Sequence, residues 1–428
     1  MVNYDTYQKA EQLIEQAARQ RATRLDLRAL GLTELPPAIA TLDQLEDLYL
    51  AHNQLTTIPN GIVELKQLRT LLLSHNQLTQ VPDWIGELEQ LRMLVLSRNR
   101  ITSLPESITQ LKRLGHLSLD YNQFTNLPGF IPALEALIEL NFSGNQIIEF
   151  PDTFKSRNLR ELNLSRTQLT VLPEVITSIT TLRSLKLRCN QIKQLPESIA
   201  SLHQLWILDI SDNQLEELPE GIGSLTELYK LQLYNNHLRS LPQGIGYLEQ
   251  LKQLSLSGNQ LQQIPKSFVR FSKLIALGLA YNNLTDLPTN LTLLPELEYI
   301  ELEGNPLNPE LAAACQDGFD AIMQYLKVKW KQEPRRRSQN DSIYAKRGNP
   351  DDSSLQALRG SRTRNNKKKL RGKPIDSKRE SPGDAPLQAL KAEKTREDKV
   401  FVQRFKENIV WILSKVNQKI KTWLAEWF

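Results

Sequence analysis

Five histidines and two cysteines are the side chains here with the chemistry to hold a metal or to attack a carbonyl. His52 and His75 stand one 23-residue step apart, and with His116 or Asp120 they are what a metal ion would use. No close Cys/His spacing accompanies them and solvated histidine is the common case, so neither a metal nor a cofactor is expected. Cys189 lies directly before Asn190, and Cys315 among Ala312, Ala313 and Ala314, neither with a His and an acid arranged to activate a nucleophile. The sequence has no GxxxxGK(S/T) phosphate loop, GxSxG elbow, HExxH helix or GxGxxG turn. Catalysis and a small-molecule substrate are therefore not expected, and recognition is the remaining chemistry.

What positions these residues is a repeat. Of 75 leucines, 65 fall between residues 22 and 307. Asn53, Asn76, Asn99, Asn122 and Asn145 recur every 23 residues, and after one interruption so do Asn190, Asn213, Asn236, Asn259, Asn282 and Asn305. The frame is LxxLxLxxNxLxxLPxxIxxLxx, written in full by Leu91, Leu94, Leu96, Asn99, Ile101, Leu104, Pro105, Ile108 and Leu111. This resembles the leucine-rich repeat, with about thirteen units over 22–307. The resemblance implies an α/β solenoid, a horseshoe with a parallel inner sheet and helical caps.

The frame has a physical reading of its own. Alternation at LxL sends both leucines to one face of a short strand. The Asn meets backbone groups where the chain leaves the strand, and stacking makes a ladder of them. The Pro opens a short helical or 3₁₀ turn on the outer side, since a helix start does not need its missing N–H. One unit buries too little to offset its own chain entropy, so stacking is required and both ends need caps. Residues 1–21 supply one, an amphipathic helix with Ala10, Leu13, Ile14, Ala17 and Ala18 on a stripe. Residues 308–330 supply the other, with Asn308 as N-cap, Pro309 in the first turn and Leu311, Ala314, Phe319, Ile322, Met323 and Leu326 as its apolar stripe. Leu30 and Thr167 stand where Asn is expected in the first and seventh units, and the sixth unit is one residue short, near 155–158. A local change of curvature is expected there.

Positions alternating with the LxL leucines, and the two before each Asn, line the concave face. Thirteen strands roughly 4.8 Å apart make an arc of about 58 Å, the span of a protein ligand. Tyr49, His52, His75, Arg98, His116 and Tyr121 form an aromatic and basic group there, and Arg166, Lys186, Arg188, Asp212 and Tyr234 a mixed one. Aromatic and Arg side chains anchor interfaces, which makes the first group the preferred hot spot.

Charge divides the chain. Residues 1–330 carry 28 basic and 36 acidic side chains, whereas 331–399 carry 20 and 10 and read as a disordered basic linker. Residues 400–428 place Phe401, Phe405, Ile409, Ile412, Trp423 and Trp427 at helical spacing, with Trp411 beside them and Lys between, an amphipathic helix suited to a bilayer interface or a partner. An anionic membrane surface is thus a second expected partner, reached through the tail, and the basic tail also admits nucleic acid as a weaker reading. With no signal segment and no apolar span, the chain is expected in the cytoplasm or peripheral on a membrane.

The SLPESI and LPEGIGSL style of unit resembles the intracellular Ras-group leucine-rich repeat proteins. RATRLDLRALGLTELPPAI (21–39) and GNPLNPELAAACQDGFDAIMQYLK (304–327) are similar to the repeat domain of bacterial Roco proteins. That family implies a GTPase after the repeats, but no phosphate loop follows Lys327. The expectation is a non-catalytic scaffold or adaptor in intracellular signalling.

Overall fold

The computed structural model describes residues 4–147, 150–151, 154 and 156–332. Thirteen three-residue strands, from β1 (Arg24–Asp26) to β13 (Tyr299–Glu301), form one parallel sheet in strict sequence order. Register follows the repeat: Leu48 pairs with Leu71 and Leu71 with Leu94, one unit apart. The sheet is open and its inward leucines, such as Leu71, Leu94 and Leu117, are buried with the Ile62, Ile85 and Ile108 of the outer turns in one continuous core. The fold is the expected leucine-rich repeat solenoid.

The ladder works through one repeated triad of bonds. Asn76 Nδ2 donates to Leu73 O of its own repeat and to Leu50 O of the preceding one, both at 3.0 Å, while its Oδ1 accepts from Leu55 N at 3.0 Å. Each Asn therefore closes its own turn and fastens the neighbour's. Thr167 is shorter. Its hydroxyl donates to Leu164 O at 2.6 Å but does not reach back, and Ile147 N–H bonds the Thr167 carbonyl instead, at 3.2 Å. Wherever Asn is missing, the next residue turns left-handed: Gly31 after Leu30 and Gln168 after Thr167. That turn aims the Leu30 and Thr167 N–H groups at Asn53 and Asn190 Oδ1, at 3.2 and 3.0 Å.

Three details differ from the sequence reading. Pro59, Pro82 and Pro105 do not open the outer turns but cap them, in extended conformation, and the Pro59 carbonyl accepts from Ile62 N at 3.1 Å. The helical outer turns among the described residues are 3₁₀, except α2 (Glu174–Thr177) in the seventh repeat. In α1 (Tyr4–Gln20), Ala10, Ile14 and Ala17 are buried but Ala18 is exposed, since it lies past the edge of the stripe. The C-terminal cap is two helices, α3 (Pro309–Gln316) and α4 (Phe319–Gln332), broken at Gly318, whose φ of +93° no L side chain adopts easily. Helix α4 passes the expected boundary at 330, and Asn308 does cap α3, accepting from Leu311 N at 2.9 Å. Leu311, Ile322 and Leu326 close the last apolar layer. The linker from Glu333 and the terminal segment with Phe401, Phe405, Ile409, Trp411, Ile412, Trp423 and Trp427 lie outside the described residues. No helix among the described residues is long and apolar enough to cross a membrane.

Candidate functional site

The residue before each Asn occupies one backbone state. His52, His75, Arg98 and Tyr121 all have φ between 52° and 60°. Left-handed backbone costs a non-glycine residue on the order of 1 kcal/mol. It recurs because the chain must turn sharply out of the strand before the Asn can bond back. Since successive residues share this geometry one strand spacing apart, their side chains leave in parallel and planar groups stack. His52 and His75 stack with ring centroids 4.1 Å apart and planes 16° from parallel. The Arg98 guanidinium lies 4.4 Å from the centre of the Tyr121 ring. Tyr121 in turn rests on Gly144, where an added Cβ would come within 2.7 Å of its Cδ1. The result is a ridge of flat groups along one rim of the concave sheet.

Beside the ridge the sheet carries an apolar cluster, bordered by Asp47 and Thr70. Tyr49, Leu72, Met93 and Val95 occupy outward strand positions of the second to fourth repeats, each only partly buried, with Ala51 next to them. Of these only Tyr49 was expected as a site residue. The signal for the rest lay in the runs LLL (71–73) and MLVL (93–96): when alternate leucines face the core, the residue between them must face out. Tyr49 is flanked by Arg24 and Arg28, at 5.7 and 5.4 Å from its ring centre. Those arginines pair with Asp47 and Asp26, and the Arg28 hydrogen bond holds the Asp26 carboxyl below its usual range.

The other expected residues divide. His116 is not part of the histidine stack, because its Nδ1 pairs with Glu139 Oε2 at 2.9 Å. It borders a polar floor in which Asp120 Oδ1 accepts from Ser97 Oγ, Ser118 Oγ and Asn141 Nδ2 at 2.6, 2.7 and 3.0 Å. Arg166 is exposed on the rim, and Lys186 on the sheet. Arg188 bonds Asp212 Oδ2 at 2.7 Å, lies 5.3 Å from the Tyr234 ring centre, and Asp212 Oδ1 accepts from Asn235 Nδ2 at 2.8 Å. Arg188, Asp212 and Tyr234 of this second group thus engage one another, while Arg166 and Lys186 stay exposed. Burial raises the Tyr234 phenol, and further along it raises Glu301 and pushes Tyr299 up to about 12. His75 is held below its usual range by burial, then by His52 and Arg98, against the opposing Asp120. Among the described residues no three His, Cys, Asp or Glu are placed to share a metal.

This geometry agrees with comparisons against known proteins. Family models described as leucine-rich repeat region and leucine rich repeat match residues 63–150 and 143–236, and 20–78 and 226–284. A leucine-rich repeat protein of Leptospira interrogans is 30% identical, with 71% of this chain and 96% of that one covered and a TM-score of 0.53. This chain belongs to the leucine-rich repeat family. Two more solved relatives of this leucine-rich repeat protein extend the likeness. An internalin of Listeria monocytogenes, 21% identical over 71% of this chain and 90% of its own, shares the fold with a TM-score of 0.62. A chain of the Drosophila Toll–Spätzle complex is 25% identical over 69% of this chain and 42% of its own, at 0.61. No curated protein matches in sequence.

Proposed function

We propose that this leucine-rich repeat protein is a non-catalytic adaptor that binds a protein through the concave face of its second to fifth repeats. The observation that carries this reading is the cluster Tyr49, Leu72, Met93 and Val95, apolar and half-buried on a sheet whose central repeats are lined by Ser, Asn and Asp. Apolar centre and polar rim are the anatomy of a binding hot spot, and the His52–His75 and Arg98–Tyr121 stacks hold that rim rigid. The fold is commonly a protein-interaction scaffold, and the Toll–Spätzle complex among its relatives supports a protein as the ligand class. A photo-crosslinker at Leu72 should trap one polypeptide reproducibly, and a crosslinker at Ser255 should not. Binding of that purified polypeptide should weaken about tenfold or more in Leu72→Asp, the loss of one well-buried anchor. Equal trapping at both positions, or unchanged affinity in the variant, overturns the reading.

The likeness of the two end segments to Roco repeat domains supports a regulatory role in the cytoplasm. The basic composition of 331–399 and the apolar spacing of 400–428 support a tether to an anionic membrane surface. Flotation with anionic liposomes should recover the full chain and not a chain ending at Gln332. Equal recovery of the two rejects the tether.

A further inference from the structure

The sixth repeat is one residue short, and its end leads into the seventh. Ser156 and Arg157 from that end, with Ser178, Thr180 and Thr181 from the equivalent segment of the seventh repeat, line a hollow of about 280 Å³. The hydroxyls of Ser178 and Thr181 donate to the carbonyls of Val175 and Leu159, at 2.6 and 2.7 Å. Ser156 Oγ accepts from Leu159 N at 3.3 Å, which leaves its proton, like that of Thr180, free to donate. Among the described residues no Asp or Glu lines the hollow.

Two more guanidinium groups stand just before the next strands, in the seventh and eighth repeats. The Arg160 carbonyl accepts from Arg183 N at 2.7 Å, so the two arginines start from adjacent backbone. The Arg183 guanidinium lies 4.6 Å from the centre of the Trp206 ring, and burial and then Arg160 hold its affinity for a proton below the ordinary. Among the described residues no carboxylate pairs with Arg157, Arg160 or Arg183. Neighbouring unpaired cations repel, and a bound anion removes that cost.

We propose that this edge of the sixth to eighth repeats is a binding site for a phosphate monoester, held in the hollow by Arg157 and the hydroxyls of Ser156 and Thr180, with Arg160 and Arg183 reaching in from the strands beside it. Guanidinium groups match phosphate oxygens in bidentate geometry, and a phosphate monoester, with its second pKa near about 6, carries nearly two charges at neutral pH. The hollow is open enough for the esterified group to extend into solvent. The site is separate from the concave cluster and does not depend on its role.

Calorimetric titration of the full chain tests it, with inorganic phosphate, phosphoserine and a phosphoserine hexapeptide as probes and the unphosphorylated hexapeptide and chloride at matched ionic strength as controls. The phosphorylated probes should bind and the controls should not. Tighter binding of the hexapeptide than of inorganic phosphate identifies a modified protein as the source, and equal binding a free phosphate compound. The double variant Arg157→Gln/Arg160→Gln should weaken binding about tenfold or more, as loss of charge-assisted bonds predicts, and Thr180→Val less. Leu72→Asp should bind phosphate like the natural chain. Heat evolved equally with chloride, or unchanged affinity in the double variant with its melting temperature intact, overturns the proposal.

Discussion

At the scale of single residues, the Asn before each outer turn and the left-handed residue preceding it are coupled. Asn122 donates to Leu96 O and Leu119 O and accepts from Ile101 N, all in buried surroundings. A buried group left unpaired costs about 1–3 kcal/mol, so Asn122→Ala should lose roughly 3 kcal/mol in urea unfolding. A loss below about 1 kcal/mol would mean that water replaces the ladder. Gly144 has the same coupling from the other side. Its φ is +70°, and an added Cβ meets the Tyr121 ring, so Gly144→Ala should both destabilise the fold by roughly 1–2 kcal/mol and displace Tyr121 from Arg98. Reduced binding at the concave face with only that modest stability loss is the expected combination.

At the scale of elements, the sheet holds its planar groups in register, and that makes the histidine stack sensitive to pH. Burial, His52 and Arg98 hold His75 below the ordinary histidine value, so the unfolded chain takes up a proton more readily than the folded one. Stability associated with His75 is therefore present above the unfolded value of about 6.5 and declines as the pH falls through the folded one. In His75→Gln, the loss of stability between pH 7.5 and pH 5 should be smaller than in the natural chain. An identical pH profile for the two would show that the stack is too well solvated to matter. The outward strand positions also set how much of the site was legible in the sequence. Tyr49, His52, His75, Arg98 and Tyr121 are expected from their phase in the repeat, and the structure stacks His52 on His75 and Arg98 on Tyr121 but sets Tyr49 beside Arg24 and Arg28. Leu72, Met93 and Val95 carried the same phase, but an apolar residue in a leucine-rich stretch reads as core unless its direction is followed. His116 went the other way: its phase is right, yet Glu139 on the next strand captures it, a pairing that only the register of two neighbouring strands produces.

At the scale of the whole repeat array, stability is a chain of nearest-neighbour contacts, and its ends decide how it fails. Helix α4 covers the last apolar layer with Leu326, wholly buried. Leu326→Ala should cost about 2–5 kcal/mol locally. Because each repeat touches only its neighbours, unfolding should then begin at the C-terminal repeats, with amide exchange accelerated near Leu302 and unchanged near Leu94. Uniform acceleration along the array would mean that the repeats unfold as one unit.

What the sequence determined alone is whatever repeats. The 23-residue period specifies strand, Asn turn and Pro-capped outer turn in every unit, because each is a local demand for alternation, backbone hydrogen bonds or fixed φ. Tertiary structure decided what depends on two units at once. The stacking of His52 on His75, the seat of Tyr121 on Gly144, the Arg188–Asp212 pair and the hollow beside the short repeat all join residues at or near one repeat's spacing. Side chains so far apart in the chain meet only after the strands have paired, and whether they stack, pair or leave a gap depends on distances of a few ångströms that no spacing encodes.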